Sequence, residues 1–184
     1  MIETERLLLR PFTPDDFEAL AAVRADPDVS RYIGGEKAQQ REHVAARFKF
    51  YLSCYETHGF GASAILRKSD NLMIGCGGLQ PLEDSGEIEI GYSFAKLFWG
   101  QGYATEMAAA WFRYGFESAG LERIVAVADP ENTGSWRVME KLGMQYEGRA
   151  HYYGMECVKY AIAREQFRPS DSLYILHNDE RGER

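Results

Sequence analysis

The sequence predicts a mixed α+β domain, a largely antiparallel sheet of about seven strands flanked by about four helices. Three observations predict it. First, the apolar period changes once, near the middle of the chain. Ile88, Ile90, Tyr92 and Phe94 alternate with Glu87, Glu89, Gly91 and Ser93. From Tyr103 onward Ala104, Ala108, Trp111, Phe112 and Gly115 fall on one helical face. Second, the neighbouring apolar runs are joined by short turn sequences, Ser69-Asp70-Asn71, Pro81 to Gly86, and Gly154. Hairpin connections make the strands they join antiparallel. Third, a helix separates the central strand from the next apolar run, Ile124 to Ala128, so that pair is expected to be parallel.

The remaining elements follow in order. Arg6 to Phe12 is a first strand. Thr13-Pro14-Asp15-Asp16 opens a helix with a threonine cap, a proline at its first position and acids in its first turn. Asp26-Pro27-Asp28 ends it, and Val29 to Gly35 is an ordered loop. A second helix spans about Gln39 to Thr57, with Val44, Phe48, Tyr51, Leu52 and Tyr55 inward. Strands Gly61 to Lys68 and Met73 to Leu79 form a hairpin, with Gly75, Gly77 and Gly78 marking a bulge. After the long helix, Gly120 is a C-cap. A short helix covers Ser135 to Leu142, closed by Gly143. Tyr146 to Tyr153 and Glu156 to Ala163 make a final hairpin.

At 184 residues, 45% apolar and 27% charged, the chain suits one soluble domain. Residues 1–168 are expected to fold and 169–184 to form a polar tail, in which Leu173 to Leu176 alone are apolar enough to dock. No run approaches a membrane span, and Leu7-Leu8-Leu9 is too short for a signal core. Three scattered cysteines suit reduced thiols, and a cytoplasmic protein, monomer or homodimer, is expected. The four histidines lack metal-ligand spacing, so no metal is assigned. A net charge of −7 argues against nucleic acid or an acidic membrane as partner, and is mildly compatible with a cationic acceptor.

Between the two periods lies Trp99-Gly100-Gln101-Gly102-Tyr103-Ala104. Glycines at a strand-to-helix turn let the backbone approach a ligand, and the free N–H groups of the helix start favour an anion. An ordinary glycine turn is the alternative. As a dinucleotide fingerprint the turn fails, because Thr105 occupies the third small position and the turn is mid-chain. A P-loop needs Gly-Lys-Ser/Thr, which is absent.

The element order with this turn resembles the GNAT superfamily of acyl-CoA N-acyltransferases, and most nearly its RimJ/RimL-like branch of ribosomal-protein N-terminal acetyltransferases. That family's loop reads Gln/Arg-x-x-Gly-x-Gly/Ala. Gly102 and Ala104 match, and Trp99 departs from the first place. The segment Asn132-x-x-Ser135-x-x-Val138-Met139-Glu140-Lys141-Leu142-Gly143 resembles the second CoA-side motif. The resemblance covers roughly Thr4 to Phe167 and implies a GNAT-like fold with a splayed parallel pair at the CoA site.

It further implies that acetyl-CoA is the acyl donor and a primary amine the acceptor, a peptide N-terminus or a small molecule, with direct attack of the neutral amine. Gly100, Gln101, Gly102, Tyr103, Ala104 and Thr105 would cradle the pyrophosphate. Tyr92, Ser93 and Phe94 would bind the pantetheine arm and polarise the thioester, and Asn132 would touch the same arm, or cap its helix. Lys141 would reach a phosphate or remain an exposed lysine. Many members carry a tyrosine proton donor where this chain has Met139. In the RimL-like branch the donor is the serine matched by Ser135, whose alternative is a polar cap. Glu89 and Glu87 are candidate bases, against a solvated strand face. Arg31, Tyr32, Tyr152 and Tyr153 are candidate acceptor-site residues, against core or loop packing. The vacant tyrosine keeps open a catalytically silent acyl-CoA-binding module.

Overall fold

The structure is a computed structural model and describes residues 1–177. The chain runs β1 (Ile2–Glu3), β2 (Leu7–Arg10), α1 (Phe17–Ala25), α2 (Pro27–Ser30), α3 (Glu36–Gln39), α4 (Arg41–His58), β3 (Ala62–Arg67), β4 (Leu72–Pro81), β5 (Ile88–Phe94), α5 (Tyr103–Arg113), β6 (Arg123–Ala128), α6 (Thr133–Lys141), β7 (Gln145–Tyr152), β8 (Met155–Ala163) and β9 (Ile175–Leu176). Among the described residues the nine strands form one sheet, ordered β7-β8-β6-β5-β4-β3-β2-β1-β9. Neighbours are antiparallel except β5 and β6, which are parallel and meet in register at one pair, Glu89 opposite Val125. Past that pair the two strands part, and the site opens between them.

Both faces of the sheet are covered. On one, Met107, Trp111 and Phe112 of α5 pack on Ile74, Ile90, Phe94 and Ile124. On the other, Leu20 of α1 and Val44, Phe48 and Tyr51 of α4 pack on Ala62, Ala64 and Cys76. This is why β3 and β4 are apolar almost throughout and show no simple alternation. Burying one such side chain contributes about 1.5–3 kcal/mol, so the two helical layers fix the sheet between them.

Several elements differ from expectation. The expected loop over 29–35 begins inside a short helix, α2, and leads into a second, α3; α2 forms because the Asp26 side chain accepts from Asp28 N–H at 2.9 Å and Pro27 presets the first turn. The register slip in the β3–β4 hairpin falls between Ile65 and Leu66, opposite Ile74, rather than on the glycines. Gly77 serves close packing instead, since a Cβ there would lie 2.6 Å from Tyr92 Cβ. The sheet gains two short strands at one edge. β1 pairs with β2, and β9, the docking segment within the tail, pairs Ile2 with Leu176 and Glu3 with Ile175. The rest of the expected tail, 178–184, lies outside the described residues. Among those described, no helix is long and apolar enough to cross a membrane.

Candidate active site

The β5–α5 turn is tied down by its own side chains. Trp99 Nε1 donates to the Phe94 carbonyl at 2.7 Å, and Gln101 Nε2 donates to the Leu97 carbonyl at 2.8 Å. From β1–β2, Arg6 donates to Glu106 at 2.7 Å and to the Gln101 carbonyl at 3.0 Å, with its guanidinium 4.4 Å from the centre of the Tyr103 ring. Gly102 adopts φ +82°, in the region that favours glycine, and so turns the chain directly into α5. The first main-chain bond of that helix runs from Glu106 N–H to the Gly102 carbonyl at 3.0 Å. The N–H groups of Tyr103, Ala104 and Thr105 therefore have no partner within the helix, which makes an anion-favouring end.

This turn walls a cavity of about 480 Å³. Tyr92, Ser93 and Phe94 line one side, Gly100, Gly102, Tyr103, Ala104 and Thr105 the base, and Asn132 and Ser135 the other side. Gln101 and Lys141 are not in its lining; the Gln101 side chain is spent on the loop and Lys141 is exposed. Asn132 caps α6, its Oδ1 accepting from Ser135 N–H at 3.1 Å. That cap sets Ser135 in the first turn with Oγ 3.1 Å from the Tyr92 hydroxyl. Burial pushes the Tyr92 phenol up to about 12, against the opposing pull of its hydrogen bond with Ser135, so it stays protonated. Met139 is buried in the core and is not in the cavity lining.

A second cavity, of about 780 Å³, lies on the other side of β5 and shares Tyr32, Ile33, Tyr92 and Ser93 with the first. Glu89 lines it and is only 3% exposed, so the expectation of a solvated strand face fails. The reason is the α1–α4 layer and the β7–β8 turn, which roof that face. The Glu89 carboxylate accepts from Gln80 Nε2, its cross-strand neighbour, at 2.7 Å and from the Tyr153 hydroxyl. Burial raises its pKa above the ordinary carboxylate range, although the Tyr153 and Gln80 donors and the Arg47 charge pull the other way. Tyr153 reaches it from a left-handed turn position, φ +55°.

The structure does not gather every candidate. Glu87 precedes β5 and lies outside both cavities, its carboxylate held by Lys159 and by Arg123 at 3.5 Å. Tyr152 lines neither cavity and packs against a small cluster of Leu82, Val125 and Ala161. Arg31 and Tyr32 do line the larger cavity, the guanidinium 4.6 Å from the centre of the tyrosine ring and 3.8 Å from Glu131. Sequence reading missed Arg24, Lys37, His43, Arg47 and Gln80, all in the same lining. The available signal was His43 and Arg47, four apart on α4 beside the buried stripe. No cluster of three or more potential metal ligands occurs among the described residues.

Residues 6–145 match the Acetyltransferase (GNAT) domain model. The chain belongs to the GNAT acetyltransferase family. This GNAT chain is 32% identical over 154 residues to the uncharacterized N-acetyltransferase YoaA of Bacillus subtilis, covering 83% of this chain and 87% of that one. It is 26% identical over 183 residues to the FsC-acetyl coenzyme A-N(2)-transacetylase of Aspergillus fumigatus, covering 90% of this chain and 77% of that one. The acetyltransferase of Agrobacterium tumefaciens superposes with a TM-score of 0.77 at 30% identity, over 87% of this chain and 92% of its own. The GNAT fold, its single parallel pair among the described strands and its acetyltransferase activity are thus those of the family.

Proposed function

We propose that this GNAT chain transfers the acetyl group of acetyl-CoA to a primary amine and belongs to the RimJ/RimL-like branch. The observation that carries this reading is the meeting of two cavities at Tyr92 and Ser93, with Ser135 on one side and Glu89 on the other. The donor fits the smaller cavity. The unpaired N–H groups at the start of α5 suit a pyrophosphate, and the parted β5 edge offers main-chain groups to an amide-bearing arm. The branch assignment rests on the Asn132–Ser135 pattern, in which the cap holds the serine at the cleft.

The acceptor is a small-molecule amine or a peptide N-terminus, entering from the larger cavity. An amine attacks only after losing its proton, which is easier for an α-amine (pKa about 8) than for a lysine amine (about 10.4), by roughly 3 kcal/mol. Glu89 takes that proton, directly or through a water. The amine nitrogen bonds to the thioester carbon, the carbon–sulfur bond breaks, the Ser135 hydroxyl protonates the departing thiolate, and the proton shed by the new amide nitrogen restores the Ser135 hydroxyl. Tyr92 holds the Ser135 hydroxyl in place. Thiol release from acetyl-CoA, measured over a panel of amines and N-terminal peptides, tests the reading. Tight CoA binding with no turnover on any acceptor would sink it in favour of a silent acyl-CoA-binding module.

A further inference from the structure

Within the larger cavity the charges are unevenly matched. Its carboxylates are already engaged: Glu89 with Gln80 and Tyr153, Glu83 with Tyr153 N–H at 3.1 Å, and Asp129 with Glu131 N–H at 2.7 Å. Of its four arginine and lysine side chains, Arg31 alone is paired among the described residues, with Glu131 at 3.8 Å. Arg24, Lys37 and Arg47 have no carboxylate within 4.0 Å among the described residues. Arg24 is 6% exposed, donates to the Tyr51 hydroxyl at 2.8 Å, and has a buried Nε with no partner. Arg47 makes one long contact, 3.4 Å to Gln80 Oε1, and lies 4.7 Å from the centre of the Phe50 ring and 5.0 Å from that of Tyr51. A buried guanidinium without a counter-ion is costly unless a ligand supplies one.

We infer that the acceptor amine carries an anionic group, a carboxylate or a phosphate, and that Arg24, with Arg47 and Lys37, receives it. His43, in the same lining, records the field: burial and the charges of Arg24, Lys37 and Arg47 hold its imidazole below the usual range. Guanidinium groups match carboxylate and phosphate oxygens in pairs, so the end of the cavity around Arg24 selects for the anion while Glu89 faces the amine. The same charges repel polyamines and aminoglycosides, whatever the net charge of the whole chain. The inference rests on the acetyltransferase reading only for the identity of the ligand as acceptor; the anion site itself does not depend on turnover.

The test compares amino acids of increasing length, and a phosphate-bearing amine, with their uncharged amide or alcohol counterparts. Thiol release from acetyl-CoA and the Tm shift in the presence of CoA are both read. At least one anionic amine is expected to bind and turn over at least tenfold better than its uncharged partner, and the carboxylate and phosphate arms separate the two sources. Arg24→Gln is expected to erase that preference mainly through KM, with Arg24→Lys recovering part of it. Lys37→Gln, an exposed change that leaves the core intact, is expected to weaken it severalfold. An anion preference in Tm shift without turnover would leave the anion site standing and overturn the transferase reading. No preference in either readout, or equal preference in Lys37→Gln and a folded Arg24→Gln, would overturn the anion site.

Discussion

The Tyr92 hydroxyl stands 3.1 Å from Ser135 Oγ and 3.3 Å from the Ser135 carbonyl, joining β5 to the first turn of α6 across the cleft. Either hydroxyl can be the donor of that bond, so the phenol and the serine form one proton-sharing pair. Ser135→Ala is expected to lower kcat about 10²-fold with little change in the KM for acetyl-CoA. Because the two hydroxyls act as a unit, Tyr92→Phe with Ser135→Ala should cost no more than the larger single change. Steady-state kinetics on the three variants checks this.

As the proposed base, Glu89 is expected to set the acid limb of the rate profile. Its pKa is raised above the ordinary glutamate value of 4.5, first by burial, so kcat/KM should fall as pH drops, with a midpoint above that value. Tyr153→Phe removes a donor that favours the ionised form and should move the midpoint higher still. Glu89→Gln should abolish the limb along with most of the activity.

The same raised pKa has a stability consequence of definite sign. A folded-state pKa above the unfolded one contributes stability that is present below the unfolded value and lost as pH rises through the folded value. Glu89→Gln is therefore expected to raise the Tm relative to the parent at alkaline pH, and to change it little at pH 4. Calorimetry at the two pH values decides.

Gly102→Ala should act on the donor alone. At φ +82° a Cβ is strained by about 1–2 kcal/mol, and the change displaces the N–H groups that start α5. The KM for acetyl-CoA is expected to rise about tenfold with the acceptor KM nearly constant, a split that initial-rate measurements resolve.

Phe112 is fully buried between α5 and the sheet. Phe112→Ala is expected to cost about 3–5 kcal/mol, read as a lower urea midpoint with an unchanged slope.

The half of the site made by local sequence was legible. The change of period at Tyr103, the glycine turn and the Asn132 cap each announce themselves within a few residues, and the structure brings them to one cavity. The larger cavity was legible only in part: Arg31, Tyr32, Glu89 and Tyr153 line it, whereas the residues that α1, α4 and β4 add to it are connected by no local pattern. Glu89 reads as an exposed position because strand alternation assigns it to the polar face; only tertiary packing shows that this face is roofed. Arg24 and Arg47 sit on helices and belong to no local motif that would single them out. Tyr152 and Tyr153 are indistinguishable in sequence, and the left-handed turn at Tyr153 separates them. The net charge of −7 hinted at a cationic partner, yet charge summed over a chain says nothing of the sign inside one cleft.

The sheet is continuous across β5 and β6 at one residue pair, Glu89 and Val125. Mechanically that pair is a pivot. The antiparallel blocks on either side are each zipped along most of their length, whereas the seam between them is pinned at a point. If the cleft opens, the blocks are expected to turn about the residue that we propose as the base, its carboxylate moving least and the cleft walls most. An acyl donor lying along the seam would act as a staple, slowing amide exchange in both blocks at once.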